Sequence, residues 1–341
     1  MNFFRKLLFP FAFLYGLITS IRNFLYDKGI FKSYSFNIPI IAVGNLNVGG
    51  TGKTPQIEYL IRLLSDNYKV ATLSRGYKRK SKGFILADSF SNAESLGDEP
   101  FQFYKKFPNI QVAVDVDRKN GIEKLLSQNN KPNIILLDDA FQHRKVKAGF
   151  YILLTSYNDL FVDDCILPCG NLRESRSGAK RANLVIVTKC PNNMSNEDQN
   201  KIKIKLKLEK NQELYFSTIE YDNFVYSTSK KLDLNEIESE KKILLAGIAK
   251  PASFFAYLQS EKHECMEFPD HHDFSEKDII NIRNKSKGKI IITTEKDYVR
   301  LNDKLKTENL YYLPIKSKFV NNAIDFDKTI KNHVGTSSGI S

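Results

Sequence analysis

The sequence contains no tryptophan among its 341 residues, and no RNP-like string or zinc-finger spacing occurs in it. Nucleic acid is therefore not an expected partner. Its four cysteines, Cys165, Cys169, Cys190 and Cys265, make no C-x-x-C pair and have no histidine at metal spacing. That argues against a structural zinc site and for unlinked thiols in a reducing compartment. Internal repeats are absent too, which excludes a solenoid reading.

What is present begins with charge. Lysine and arginine total 51 against 39 acidic residues, a net +12, which suits an anionic partner such as phosphorylated substrates or an acidic membrane surface. With 42% apolar and 26% charged residues the composition is globular, and the length predicts two domains of about 100 to 200 residues each.

The first 28 residues carry apolar side chains at helical spacing: Phe4, Leu7, Leu8, Phe11, Leu14, Tyr15, Ile18, Ile21 and Leu25. Only 15 residues, Pro10 among them, separate Lys6 from Arg22, whereas a bilayer span needs about 20. With Arg5, Lys6, Arg22 and Lys28 flanking it, the pattern predicts a helix lying in an anionic membrane surface without crossing it. A cleaved signal peptide and a helix packed on the protein's own core are the rival readings, although no A-x-A cleavage site follows.

Beyond Pro39, short apolar runs alternate with helical patterns. The runs are 40–44, 69–74, 83–87, 110–114, 133–139, 151–155 and 183–189, and a second alternation occupies 243–333. Continuous apolar strands separated by helices imply a doubly wound, mainly parallel α/β sheet, followed here by a second, smaller α/β domain. Expected boundaries are 1–28 for the membrane-associated helix, 29–212 for a P-loop NTPase-like domain, 213–230 for a β-ribbon linker read as two strands around Asp222-Asn223, 231–335 for the second domain and 336–341 for a disordered tail.

Residues 44–54 read GNLNVGGTGKT. The phosphate-loop pattern requires a glycine, four residues, then Gly-Lys-Ser/Thr. Gly52, Lys53 and Thr54 fit, while Asn47 stands at the first glycine position, where it is expected to accept positive φ. A buried-type strand precedes the loop and an amphipathic helix with Ile57, Leu60, Ile61 and Leu64 on one face follows it. In that context the loop amides and the helix amino terminus point at anionic oxygen. The predicted nucleotide site is Asn47, Val48, Gly49, Gly50, Thr51, Gly52, Lys53 and Thr54. Lys53 reaches the β and γ phosphates, and the Thr54 hydroxyl ligates Mg²⁺. A second acidic component is expected at the end of a neighbouring strand, and Asp138 and Asp139 after Ile134–Leu137 supply it. The string Thr188-Lys189-Cys190-Pro191 lacks the aspartate of a guanine motif, so ATP is the expected nucleotide.

At this point the sequence resembles the tetraacyldisaccharide 4'-kinases, the lipid A 4'-kinases of Gram-negative bacteria. The strings that carry the resemblance are VGNLNVGGTGKTP (43–55), LSRGY (73–77), LGDEP (96–100), LLDDAFQHR (136–144), LPCGNLRE (167–174), FPDHHDF (268–274) and TTEKDYVR (293–300). Ala140, Cys169 and Asn171 depart from the family pattern. The resemblance implies transfer of the ATP γ-phosphoryl group to the 4'-hydroxyl of a tetraacyldisaccharide 1-phosphate at the cytoplasmic face of the inner membrane, by a peripheral enzyme with no obligate protein partner. It also implies that Asp98 is the catalytic aspartate and His271 its assisting histidine. Arg75 and Arg173, which lie in family strings, become substrate-binding candidates, and His143 and Lys296 weaker ones. From the residues alone, the favoured reading of Asp98 is the N-cap of the helix that begins near Glu99-Pro100. His271 is preferred over His272, since adjacent residues of an extended segment face opposite ways. The competing function is a membrane-associated NTPase that hydrolyses nucleotide as a regulatory or transport switch.

Overall fold

The computed structural model describes residue 5, residues 7–259 and residues 263–338. Phe4 and Lys6 of the amino-terminal pattern, the end of the helix expected over 251–261 and residues 339–341 lie outside the described residues.

In chain order the main elements are α1 (Phe9–Asp27), β1 (Ile40–Asn45), α2 (Lys53–Leu64), β2 (Val70–Ser74), β3 (Ile85–Leu86), α3 (Ala93–Leu96), α4 (Asp98–Lys106), β4 (Gln111–Val114), α5 (Arg118–Leu126), β5 (Ile134–Asp138), β6 (Phe150–Ser156), β7 (Leu184–Thr188), α6 (Asn196–Leu206) and β8 (Glu213–Tyr221). There follow β9 (Phe224–Tyr226), β10 (Lys231–Asp233), β11 (Lys242–Ala246), α7 (Ala252–Tyr257), β12 (His263–Glu267), α8 (Glu276–Lys285), β13 (Ile290–Thr294), α9 (Glu295–Leu305), β14 (Leu310–Leu313), β15 (Ile315–Phe319) and α10 (Ala323–Ser338).

Strands β1, β2, β5 and β7 are buried at every position, because helices cover both faces of their sheet. This sheet has nine strands in the order β15-β8-β7-β6-β1-β5-β2-β4-β3, parallel except for its two edge strands. Register decides the chemistry: Val43 of β1 lies opposite Asp138 of β5, so the loop after β1 and the carboxylate ending β5 emerge side by side at the carboxyl ends of the strands.

A second sheet of six strands runs β10-β9-β14-β13-β11-β12, with β12, β11, β13 and β14 mutually parallel. The chain passes between the sheets twice, and the Asp222 amide meets the Pro314 carbonyl at 3.0 Å where the passages adjoin. The ribbon is thus β8 with β15; the two strands flanking Asp222-Asn223 belong to different sheets rather than pairing with each other. The last strand and helix, assigned by sequence alternation to the second domain, return to the first sheet. Phe319, Phe326, Ile330 and Val334 share a core with Ile57, Leu60 and Tyr215. Alternation reveals the kind of layer but not which sheet a late element rejoins. The helix also extends to Ser338, into the stretch expected to be tail.

Helix α1 inverts the usual amphipathic arrangement. Its polar side docks: the Tyr15 hydroxyl donates to the Arg173 carbonyl at 2.9 Å, Arg22 to the Gln142 carbonyl at 3.0 Å, and Asn23 to Glu174 at 2.6 Å. Phe9, Phe11, Phe13, Leu14, Ile18, Ile21 and Phe24 are exposed, and Ala12 alone is fully buried. Among the described residues no helix is long and apolar enough to cross a membrane.

Candidate functional site

The phosphate loop is held from below by Asn45, whose buried amide donates to the Asn47 carbonyl at 2.7 Å. Its carbonyl oxygen accepts from Lys53 Nζ at 3.2 Å. Gly52 caps α2 with φ +84, a left-handed conformation that glycine adopts without steric penalty. Asn47 does not take the positive φ expected of it. It bridges to Leu172 and donates through its side chain to Asp164 at 2.9 Å, so the loop is stitched to the 164–173 segment and the turn falls on Gly49 at φ +119. The exposed Val48 donates its amide to the Asn171 carbonyl at 2.7 Å, and the Thr51 amide bonds the Gly49 carbonyl at 3.0 Å. Gly50 lies under Lys189, which would come 3.8 Å from an added Cβ there. Thr54, the second residue of α2, is half-buried.

Asp138 and Asp139 have different surroundings. Burial, followed by the Asp139 charge, pushes the Asp138 carboxyl up to about 7, and its buried Oδ1 has no hydrogen-bond partner. Such an oxygen, at the end of the strand beside the loop, fits a divalent cation shared with phosphate oxygens. Asp139, at φ +48, turns away onto cations: Arg173 Nη1 lies 2.9 Å from both carboxylate oxygens and Lys53 Nζ 3.6 Å from one. Burial opposes its ionisation, but those two cations hold its pKa below the ordinary value. Arg118, buried beneath, donates to the Asp138 carbonyl at 3.3 Å. Arg75 follows β2, whose Leu73 pairs with Leu137, so it emerges exposed at the same end of the sheet. His143, nearby, is pushed down to about 4 by burial and then by Arg118. Its unfolded value is about 6.5, so the unfolded chain takes up the proton first. The His143 contribution to stability is intact above about pH 6.5 and is lost progressively as pH falls to about 4. His143→Gln is expected to flatten that part of a thermal-midpoint-versus-pH curve.

A second cluster joins the two sheets. Gly97, at φ +91, admits the Tyr77 carbonyl within 3.0 Å of where a Cβ would stand, which lets α4 start at Asp98. The Asp98 side chain makes no cap. Instead its Oδ2 accepts from Arg300 and lies 3.3 Å from His271 Nδ1. Burial raises the cost of its charge, yet the hydrogen bonds from His271 and Arg300 bring its pKa down to about 2. Lys296 Nζ sits 2.8 Å from His271 Nε2 and 3.3 Å from Glu99. Lysine and arginine only donate, so Nε2 faces Lys296, while Nδ1 lies between Arg300 Nη2 at 2.9 Å and the Asp98 carboxylate. His271 holds φ +56, an uncommon strain for a non-glycine residue that tends to cluster at functional sites. His272 faces elsewhere: it lies 3.0 Å from Asp278 and against Phe268 and Phe274. The Glu99 charge also acts on Asp138, so the two clusters are electrostatic neighbours.

Sequence reasoning missed Asn45, Arg118, Lys189 and Arg300. Asn45 and Arg300 lie inside strings already singled out, and Arg300 stands four residues after Lys296, on the same helical face.

The family model described as Tetraacyldisaccharide-1-P 4'-kinase matches residues 4–335. A Tetraacyldisaccharide 4'-kinase of Flavobacterium psychrophilum is 69% identical over 340 residues, 99% of each chain, and one of Bacteroides thetaiotaomicron is 45% identical over 96% of this chain and 93% of that one. The crystal structure of LpxK from Aquifex aeolicus in complex with ATP superposes with a TM-score of 0.80 at 31% identity, over 97% of this chain and 99% of that one. A glycine-rich loop carrying a lysine at a helix amino terminus, a carboxylate held ionised by His271 and Arg300, and relatedness along almost the whole chain lead to one assignment: this chain belongs to the tetraacyldisaccharide 4'-kinase family.

Proposed function

We propose that the chain moves the γ-phosphoryl group of ATP to the 4'-hydroxyl of a tetraacyldisaccharide 1-phosphate in lipid A biosynthesis. The observation that carries this reading is the meeting of Asp98, His271, Lys296 and Arg300 in one cluster, whose neighbour Glu99 acts electrostatically on Asp138. A carboxylate so placed accepts a proton from the attacking group, which is the sugar hydroxyl in this reading and water in a nucleotide-hydrolysing switch, and the acceptor assay separates the two.

The phosphates lie on the loop 47–54, with Lys53 on the β and γ oxygens. Asp139 orients Lys53 and Arg173 toward them. Thr54 and Asp138 would hold Mg²⁺, with Asp139 adjacent, and the ion when bound neutralises charge on the transferring phosphates. The acceptor hydroxyl donates to the free Oδ1 of Asp98, whose other oxygen is fixed by Arg300 and His271. As the bond from the 4'-hydroxyl oxygen to phosphorus forms, the bond from phosphorus to the ADP oxygen breaks and the hydroxyl proton passes to Asp98. A weak base suffices, because in a loose transition state the proton departs late. His271 and Lys296 stabilise the carboxylate that the step needs. Arg75 and Arg173 supply positive charge for substrate phosphate.

The decisive assay incubates the protein with γ-labelled ATP and the disaccharide 1-phosphate in detergent. Label on the lipid supports the kinase; release of labelled phosphate with unlabelled lipid sinks it.

The outward apolar face of α1 supports peripheral residence on an anionic membrane, at the cytoplasmic face of the inner membrane where ATP is available. Phe11→Glu with Leu14→Glu replaces two such side chains, each contributing about 1.5–3 kcal/mol when buried. Binding to anionic vesicles is expected to fall at least about tenfold with ATP affinity unchanged. Unaltered flotation contradicts the anchor.

A further inference from the structure

Behind both clusters, three helices meet at one ammonium. Lys106, the last residue of α4, places Nζ 2.8 Å from Glu58 Oε2 and 2.8 Å from Glu295 Oε1. Glu58 lies on α2 and Glu295 opens α9, and both are buried. Glu58 is completed by Arg62 at 2.7 Å and Gln102 at 2.9 Å. Two carboxylates thus face two cations, and burial together with Glu58 pushes the Glu295 pKa upward.

Each of these helices carries part of the reaction machinery: Lys53 and Thr54 on α2, Asp98 on α4, Lys296 and Arg300 on α9. Helices α4 and α9 are tied twice, by Asp98 with Arg300 at one end of α4 and by Lys106 with Glu295 at the other. Since α9 belongs with the second sheet and α2 with the first, the Lys106 ammonium is the point where both are referenced to α4.

We propose that Lys106 is a positioning residue, fixing the α4–α9 pair against α2 so that Asp98 and His271 face the nucleotide. The proposal rests on the role given above to Asp98 and His271. Lys106 touches neither substrate; it acts through helix placement, where an error of about 1 Å costs on the order of a hundredfold in rate.

The test measures kcat at saturating ATP and acceptor, normalised to ATP-binding sites, together with ATP affinity, for Lys106→Met and Glu295→Gln. Each is made in the parent and in a His271→Asn background. The expected result is a fall in kcat of about ten- to hundredfold with ATP affinity within about twofold. Lys106→Arg restores most of the rate, and the penalty largely disappears when His271 is already absent, because residues acting as a unit are not additive. A residue that merely stabilises the fold lowers the number of binding sites and leaves the rate per site alone. Rates per site within about twofold of the parent, or the same penalty in both backgrounds, overturn the proposal. If Lys106→Met does not fold, Glu295→Gln decides by the same criteria. A parent-like rate for His271→Asn alone identifies a different failure, that of the site reading beneath the proposal.

Discussion

Asp98→Asn is expected to lower kcat by about three orders of magnitude, at the centre of the 10²–10⁴ range for a positioned base, while ATP affinity stays within about twofold. The substitution keeps shape and volume and removes only the charge that Arg300 and His271 surround. In the protein this carboxyl is held near 2, so it is ionised throughout the neutral range and its own titration does not limit the rate there. Nucleotide affinity is spared because the loop that binds phosphate ends β1, in a different part of the sheet. The measurement is steady-state turnover at saturation alongside direct nucleotide binding. A kcat within tenfold of the parent would remove Asp98 from the chemistry.

Lys53→Met acts from the other side, and both rate and nucleotide affinity are expected to suffer. Lys53 Nζ is poised between Asn45 at 3.2 Å and Asp139 at 3.6 Å. Removing it takes away the charge placed on the transferring phosphates and leaves Asp139 to Arg173 alone. Loss of one such preorganised electrostatic contact costs about 10²–10³ in rate. Binding of ATP, followed by calorimetry, is expected to weaken at least about tenfold. Equal affinity in parent and variant contradicts the placement of the triphosphate.

The two halves of the site were unequally readable from sequence. The phosphate loop is local, since strand, glycines, lysine and helix follow one another within residues 40–64, and Asp138 announces itself by ending an apolar run. Asn47 misled because its conformation is set by Asp164 and Leu172, more than a hundred residues away. Asp98 reads locally as a helix cap; only the two crossings between sheets bring it to His271, 173 residues later, and to Arg300, 202 residues later. Lys106 and Glu295 resemble ordinary charges on amphipathic helices until a neighbouring sheet buries them. In α1 the apolar pattern was plain, but the docking of its polar side depends on Gln142, Arg173 and Glu174, which no helical periodicity reveals.

The central claim is a direct passage of the phosphoryl group from nucleotide to sugar, with Asp98 on the acceptor side. The measurement that tests it most directly is the stereochemical course at phosphorus, using ATP made chiral at the γ position with oxygen isotopes and sulfur. A single in-line displacement predicts inversion of configuration in the 4'-phosphorylated lipid. Retention would mean that a protein side chain carries the phosphoryl group in between, and would contradict the account.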